Sequence, residues 1–508
     1  VGVRGLARGR LILRAPAVPN VPGRLRAAVA RRLGVDARAL AAFRVAVAAV
    51  VLADLALRTR FLRAFYTDAG VYPRSLLFEQ YGAVGHLSLH ALSGGPWVQA
   101  ALFAATAVAA LAMLAGYRTT PATLATALLV GSLHLRNPLV LNSGDTLLRM
   151  LFVWAVFAPL GERWSVDALR AERSPRERVL SVATTGLLAQ VVVVYTVNAV
   201  LKLRGDQWLS GEAVRVVLQL DMFTILLGDV LAEVPALAVA FDHVWLAALT
   251  ASVLLVVLTG WARAAFAGLF AAMHAGMFVS MQLAVFPLVS IAALVPFLPP
   301  AFWDRLPGWR ALPVVGQRPL DAYARRVDSV LPALALPSLP SALARAKERA
   351  VPAVLAVVLA GLLVWNAAAV TPVAVPEVGP VDDQPEPRWS MFAPAPMGTD
   401  LWVVAPATLD DGSRVDAFRG GPVTWDEPPD VAGSYLSSRW RKYAANVRRL
   451  DDPAVSGAFA DYLCTRVGER HDAEVASVSV FVVEQRVRLD GPDQTERVEL
   501  ASTRCAPQ

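Results

Sequence analysis

The sequence predicts an α-helical polytopic membrane domain of about nine spans, N-terminus inside, followed by an extracytoplasmic β-rich C-terminal domain. Three observations predict it. The 508 residues are 56% apolar and only 18% charged, a balance typical of polytopic membrane proteins. Much of the charge is gathered into short segments between long apolar runs. Beyond residue 375 those runs give way to short alternating ones, the period of half-buried strands.

Residues 1–38 form a basic segment, "VGVRGLARGRLILRAPAVPNVPGRLRAAVARRLG" and the residues just after it. With a net charge of +7, nucleic acid is the first partner to consider, but no aromatic side chains interleave these arginines and apolar spans follow at once. The composition therefore points to anionic membrane lipid and away from nucleic acid. The segment has no compact apolar core with a small-residue cleavage site, so it does not read as a signal peptide.

The spans are expected near residues 40–57, 98–116, 121–136, 145–160, 179–201, 236–259, 264–283, 284–299 and 351–370. The eighth, "AVFPLVSIAALVPFL", is short and flanked by proline, so by length alone it can also be re-entrant. Charge bias favours crossing. With the N-terminus inside, "GYRTT", "GERWSVDALRAERSPRERV", "GWARA" and the 301–350 linker hold most of the loop positive charge on the cytoplasmic side. The exception is 58–97, placed outside despite Arg58, Arg60, Arg63 and Arg74; it reads as interfacial helices joined by a proline turn. The domain plan is then 1–38, a membrane domain at 39–300, a linker at 301–350, a last helix at 351–370 and an exported domain at 375–508.

In that exported domain, "DLWVVAPATLDDGSRVDAF" reads as two strands around an Asp-Gly turn, and "ASVSVFVVEQRVRLDGPDQTERVELAS" as a second hairpin. Both cysteines, Cys464 and Cys505, fall here. An exported pair reads as a disulfide, with two free thiols as the plainer alternative.

Ionisable groups within spans are costly and mark a functional or packing role inside the bundle. Here they are Arg44, Asp54, His134, Asp145, Arg149, Lys202, Asp242 and His274. Lys202 stands out, since the chain has three lysines against 45 arginines. A guanidinium stays charged, whereas burial can turn an ammonium into a neutral base. Tyr195, Asn198 and Lys202 share one helical face by spacing, Lys202 lies at the outer end, Trp208 marks the interface and Ser210 is placed to cap an amphipathic helix. The plainer reading is a lysine that snorkels to the headgroups.

The junction "LHLRNPLVLNSGDTLLRM" carries His134, Asn142, Asp145 and Arg149 at the same predicted end. Asp145 and Arg149, four apart, either neutralise each other or join a polar pocket around Lys202. His86 and His90 lack the glutamate of a zinc protease motif, so no metal site is expected, and His274 reads as a packed histidine.

The segments "LGVDARALAAFRVAVAAVVLADLALR", "FYTDAGVYPR", "NSGDTLLRMLFVWAVFAPLGERWSVDAL" and "VYTVNAVLKLRGDQWLSGEAV" resemble, in order and spacing, the horizontally transferred transmembrane (HTTM) domain. Bacterial membrane proteins share that domain with the vitamin K-dependent gamma-glutamyl carboxylase. "RWSMFAPAP" and "DGSRVDAF" resemble the extracytoplasmic part of bacterial members. The resemblance covers roughly residues 34 to 300 and implies a bacterial plasma-membrane protein. In the carboxylase, the lysine that Lys202 matches deprotonates vitamin K hydroquinone, and the oxygenated quinone then takes the gamma proton of a glutamate that adds carbon dioxide. Where the carboxylase has an Asn-His pair, this chain has "NSGD", which keeps Asn142 and lacks the histidine.

The resemblance thus implies an enzyme of carboxylase or epoxidase type, using reduced menaquinone or vitamin K hydroquinone. Lys202 would be its base, and an exported polypeptide its substrate. The pocket would comprise Asn142, Asp145, Arg149, Tyr195, Asn198, Trp208 and His134. The alternative is a non-catalytic lipid or quinone binder, or a scaffold, of the same fold. A transporter is disfavoured because no pair of repeat-related broken helices is found.

Overall fold

The computed structural model describes residues 23–171, 174–305, 341–371, 389–471, 474–489 and 494–506. Most of the 1–38 segment and of the 301–350 linker lies outside them. The membrane domain is built on α1 (Ala37–Thr59), α2 (Arg74–Gly85), α3 (Pro96–Ala115), α4 (Thr119–Arg136), α5 (Ser143–Ala155) and α6 (Val182–Lys202). It continues through two short helices, α7 (Asp206–Ser210) and α8 (Ala213–Leu218), to α9 (Pro235–Thr250), α10 (Gly260–Ser280) and α11 (Phe286–Leu294). A long helix, α12 (Ser341–Ala369), precedes the C-terminal domain.

Local chemistry sets these starts. Asp36 caps α1 by accepting from the Arg38 N–H. Reciprocal capping boxes open α5 (Asn142 with Asp145) and α6 (Ser181 with Thr184), so two of the orphan amides at each end are satisfied before the apolar run begins. Gly186 lets α6 pack on Trp154, since a Cβ there would stand 2.3 Å from the indole.

Among the described residues, five helices are long and apolar enough to cross a membrane: α1, α3, α6, α10 and the Arg345–Ala369 part of α12. The other four expected segments are shorter, more polar or interrupted. α4 has 18 residues with Thr, Ser, His and Arg among them, and α5 has 13. The 236–259 segment divides into α9 and a short helix at Leu254–Val257, and α11 ends in a 3-10 turn at Val295–Phe297. Apolar side chains such as Val108, Leu128, Val357 and Val364 lie exposed on the helix faces, where lipid would cover them.

Three of the arginines in the 58–97 segment meet acidic partners. Arg58 is buried against carboxylates, Arg74 pairs with Asp68 at 2.7 Å and Arg63 with Glu469 at 2.8 Å. Their charges are matched locally.

Among the described residues, the C-terminal domain carries the expected sheet and adds helices that the sequence reading did not include. Its strands are β1 (Thr399–Val404), β2 (Pro406–Leu409), β3 (Arg414–Asp416), β4 (Val475–Arg486) and β5 (Gln494–Arg504). Central β4 pairs antiparallel with β1 at Phe481–Arg486, with β2 at Val475–Val478, and along its length with β5. β2 and β3 flank the Asp-Gly turn, where Gly412 takes φ +80°. Val478, Val480 and Val482 alternate inward to the core.

Helices α13 (Ser438–Leu450) and α14 (Pro453–His471) complete that core. The turn from α13 sends Trp440, Ala444 and Val447 into it, while Arg439, Tyr443 and Asn446 reach the membrane domain. Cys464 on α14 and Cys505 after β5 are joined through their sulfurs, closing 41 residues of chain.

Candidate functional site

Lys202 ends α6 with its side chain buried, 2% exposed. Its Nζ donates to the backbone carbonyls of Met391 at 3.1 Å and Phe392 at 3.4 Å. It also stands 3.2 Å above the centre of the Trp208 ring, a cation–π arrangement. One turn earlier, the Asn198 amide donates to the Trp389 carbonyl at 2.8 Å, and Trp208 Nε1 donates to the Phe392 carbonyl at 2.8 Å. Three side-chain donors therefore converge on one backbone segment, residues 389–394, which arrives from beyond α12. Among the described residues, no carboxylate lies within ion-pair distance of Lys202.

Tyr195 leaves this group. Its hydroxyl meets His274 Nε2 at 2.9 Å and its ring stacks on Phe270 at 4.4 Å. A second cluster lies between α1, α4, α5 and α13. Arg58 bridges Asp54 (2.6 Å) and Asp145 (2.6 Å) and donates to Tyr66 Oη (2.7 Å). Arg439 enters from the C-terminal domain and reaches Asp54 at 2.5 Å and Asp145 at 3.1 Å. His134 Nε2 stands 3.3 Å from Asp145. Two guanidiniums thus face two carboxylates, all buried.

A family model for the HTTM domain matches residues 34–303, which contain α1 to α11, Lys202 and the carboxylate cluster. The chain belongs to the HTTM domain family. No curated protein and no solved structure matches it. The HTTM domain here carries a C-terminal domain outside the matched residues that supplies Arg439 and the 389–394 segment to it.

The single pocket expected from the sequence is two places in this HTTM protein. Asn198, Lys202 and Trp208 stay together. Asp145 and His134 belong to the second cluster, and Asn142 serves as the cap of α5. Asp145 does not pair with Arg149, whose guanidinium donates to Thr146 Oγ1 at 3.3 Å, because Arg58 and Arg439 take both carboxylate oxygens. Nor does Asp145 approach Lys202. Ser210 closes α7 instead of capping the next helix; Asp242 accepts from the Val214 amide at the start of α8. His90 is buried with Nδ1 2.8 Å from Ser132 Oγ, and His86 stacks on Phe78.

Among the described residues, two groups of three acidic or histidine side chains bring ligand atoms within 4.8 Å of one another. In Asp54, His134 and Asp145 that space is already filled by guanidiniums. Asp221, Asp400 and Glu427 form the other, where the loop after α8 meets the C-terminal domain. At the far end of the bundle, a cleft of about 200 Å³ is lined by Thr119, Gly161, Glu162 and Asp167, remote from Lys202.

Sequence reasoning missed Asp54 with Arg58, Arg439 and Trp389 as site residues. The i, i+4 spacing of Asp54 and Arg58 was a usable signal. Trp389 lies in "RWSMFAPAP", which the resemblance singled out without placing it against Lys202, and Arg439 carried no signal, because its partners are hundreds of residues away.

Proposed function

We propose that this HTTM protein takes a reduced quinone from the membrane at the end of α6 and that Lys202 acts there as general base. The observation that carries the reading is the buried Lys202 amine, held by two carbonyls and a ring face with no carboxylate within ion-pair distance among the described residues. A general base must reach a proton within hydrogen-bond distance in a site where water is scarce, and Lys202 meets both requirements once a ligand oxygen replaces a carbonyl. Menaquinol or vitamin K hydroquinone fits the donor set: two ring oxygens suit Lys202, Asn198 and Trp208, and a flat ring suits the Trp208 face. Such a quinol supplies reducing equivalents to oxygen when bound. Asn198 and Trp208 would orient it, and Lys202 would receive the hydroxyl proton.

In this reading about nine segments cross a bacterial plasma membrane, N-terminus inside, and the C-terminal domain stands outside with an exported polypeptide as substrate. The missing histidine in "NSGD" gives support to a second reading, a quinone or lipid binder that does not carry out carboxylation.

The test uses the full chain in lipid nanodiscs. A reduced menaquinone analogue is bound and its oxygen-dependent conversion to the epoxide followed in wild type and Lys202→Met. The expected loss in the variant is on the order of 10²–10⁴-fold, the range for a removed general base. Conversion unaltered by Lys202→Met would end the base assignment, and binding without conversion in either chain would select the second reading.

A further inference from the structure

We propose that residues 389–394 are a displaceable strap whose backbone carbonyls occupy the oxygen positions of a flat, two-oxygen ligand over Lys202, so that ligand and strap compete for the same donors. The inference rests on the quinol reading of Lys202 and deepens it.

Four observations carry it. First, the hydrogen bonds run one way among the described residues: Asn198, Lys202 and Trp208 donate, and the carbonyls of Trp389, Met391 and Phe392 accept. A donor-only cradle suits a ligand that presents oxygens, and the strap now stands in for one. Second, the acceptor Phe392 has φ +59°, a left-handed conformation that a bulky aromatic residue rarely adopts. Strain of this kind gathers at clamps and switches and works against the seated form.

Third, Lys202 Nζ and Trp208 Nε1 both donate to the Phe392 carbonyl, so a strap that lifts away frees two adjacent donors together. Fourth, Gly205 just after α6 packs against the strap with no room for a side chain. A Cβ on Gly205 would stand 1.7 Å from the Pro394 carbonyl oxygen, although its φ of −101° suits any residue. The position therefore offers a lever on the strap that leaves the three donors untouched.

If the strap must leave before ligand binds, apparent affinity is reduced by the fraction of molecules with the strap seated. Gly205→Ala should remove that reduction. In nanodiscs without oxygen, a reduced short-chain menaquinone analogue is titrated into wild type, Gly205→Ala and Lys202→Met, with hydrogen exchange followed over 389–394. The expected result is faster exchange of the strap in Gly205→Ala and binding about tenfold tighter than wild type. Saturating ligand should likewise speed exchange over 389–394 in the wild-type chain, which needs no variant to fold.

Faster exchange in Gly205→Ala with unchanged affinity would overturn the competition, and the quinol reading would survive if Lys202→Met still lost binding. Exchange unchanged by both Gly205→Ala and ligand would also overturn it. A freed strap with no binding in any chain would overturn the quinol reading and the strap's role with it.

Discussion

Arg439 and Asp54 are 385 residues apart in the chain, and their side chains meet at 2.5 Å. The contact plants a cation of the C-terminal domain among the buried carboxylates of α1 and α5, where Arg58 already stands. Taking charges out of water is expensive, and the cost is recovered only where geometry is good and the remaining donors are satisfied. Arg439 meets that condition, since it also donates to the Val140 carbonyl at 2.9 Å. The C-terminal domain is thus seated by a charge that the HTTM domain needs for its own neutrality.

Removing that charge should be severe. Arg439→Met leaves Asp54 and Asp145 to share Arg58, and breaking a buried pair in this way costs about 3–5 kcal/mol. Thermal and denaturant unfolding of the full chain in nanodiscs should show a loss of this size. Combining it with Asp54→Asn should cost less than the two changes summed, because the groups belong to one network. Strict additivity would mean that the two side chains do not interact.

This cluster also marks where sequence reasoning stops. The α6 face was legible because Asn198 and Lys202 are four apart on one helix, and they do act together. Tyr195 shares the spacing yet turns to His274, since its ring finds Phe270 and Trp245 on neighbouring helices. The helix α13 was legible and overlooked: Trp440, Tyr443, Ala444 and Val447 repeat at helical spacing within a basic stretch. The sheet was read from alternation, as in β4 and β5. No local pattern announces that Arg439 fills a site on α1, or that 389–394 crosses back over Lys202.

The hold of Asn198 on the strap is testable by charge. Asn198→Asp turns an amide donor into a carboxylate that faces the Trp389, Ser390 and Met391 carbonyls. It should destabilise the chain more than Asn198→Ala, by about 1–3 kcal/mol, because an unsatisfied buried acceptor adds its own cost to the lost bond. Melting curves of the two variants in nanodiscs give the order. Equal losses would show that a carboxylate facing those carbonyls adds no cost, and would sink the reading of that position as a donor site.

The acidic cluster at the domain junction should make stability depend on pH. Burial first, then the charges of Asp221 and Glu427, push the Asp400 carboxyl up to about 7, against the Leu401 and Met222 amides that favour its charged form. Burial, Glu427, Asp229 and Asp430 push Asp221 up to about 6. Arg441 and Tyr435 also face Asp400, and both are buried. For an acid whose folded value is raised, the folded state holds the proton more tightly, so stability is full below the unfolded value near 4 and falls as pH rises to about 7. Unfolding from pH 4 to pH 8 should therefore show a falling slope, flattened in Asp400→Asn, whose oxygen still accepts from Met222 and Leu401. A slope unchanged in that variant would assign the dependence to other groups.

The two cysteines allow the proposed orientation to be decided in intact cells. Their bond closes 41 residues, and a loop of that length is worth about 4 kcal/mol in the chain-entropy account, so mild reduction should lower the melting temperature of the full chain without changing its secondary structure. Once reduced, the thiols differ: Cys464 is 7% exposed on α14, whereas Cys505 is only partly buried after β5. A thiol reagent that cannot cross the membrane should therefore label Cys505 quickly and Cys464 slowly if the C-terminal domain is outside. A cysteine placed at exposed Thr120, at the opposite end of the bundle, should stay unlabelled until the cells are opened. The reverse pattern would put the Lys202 end of α6 inside the cell, where an exported polypeptide cannot be its substrate.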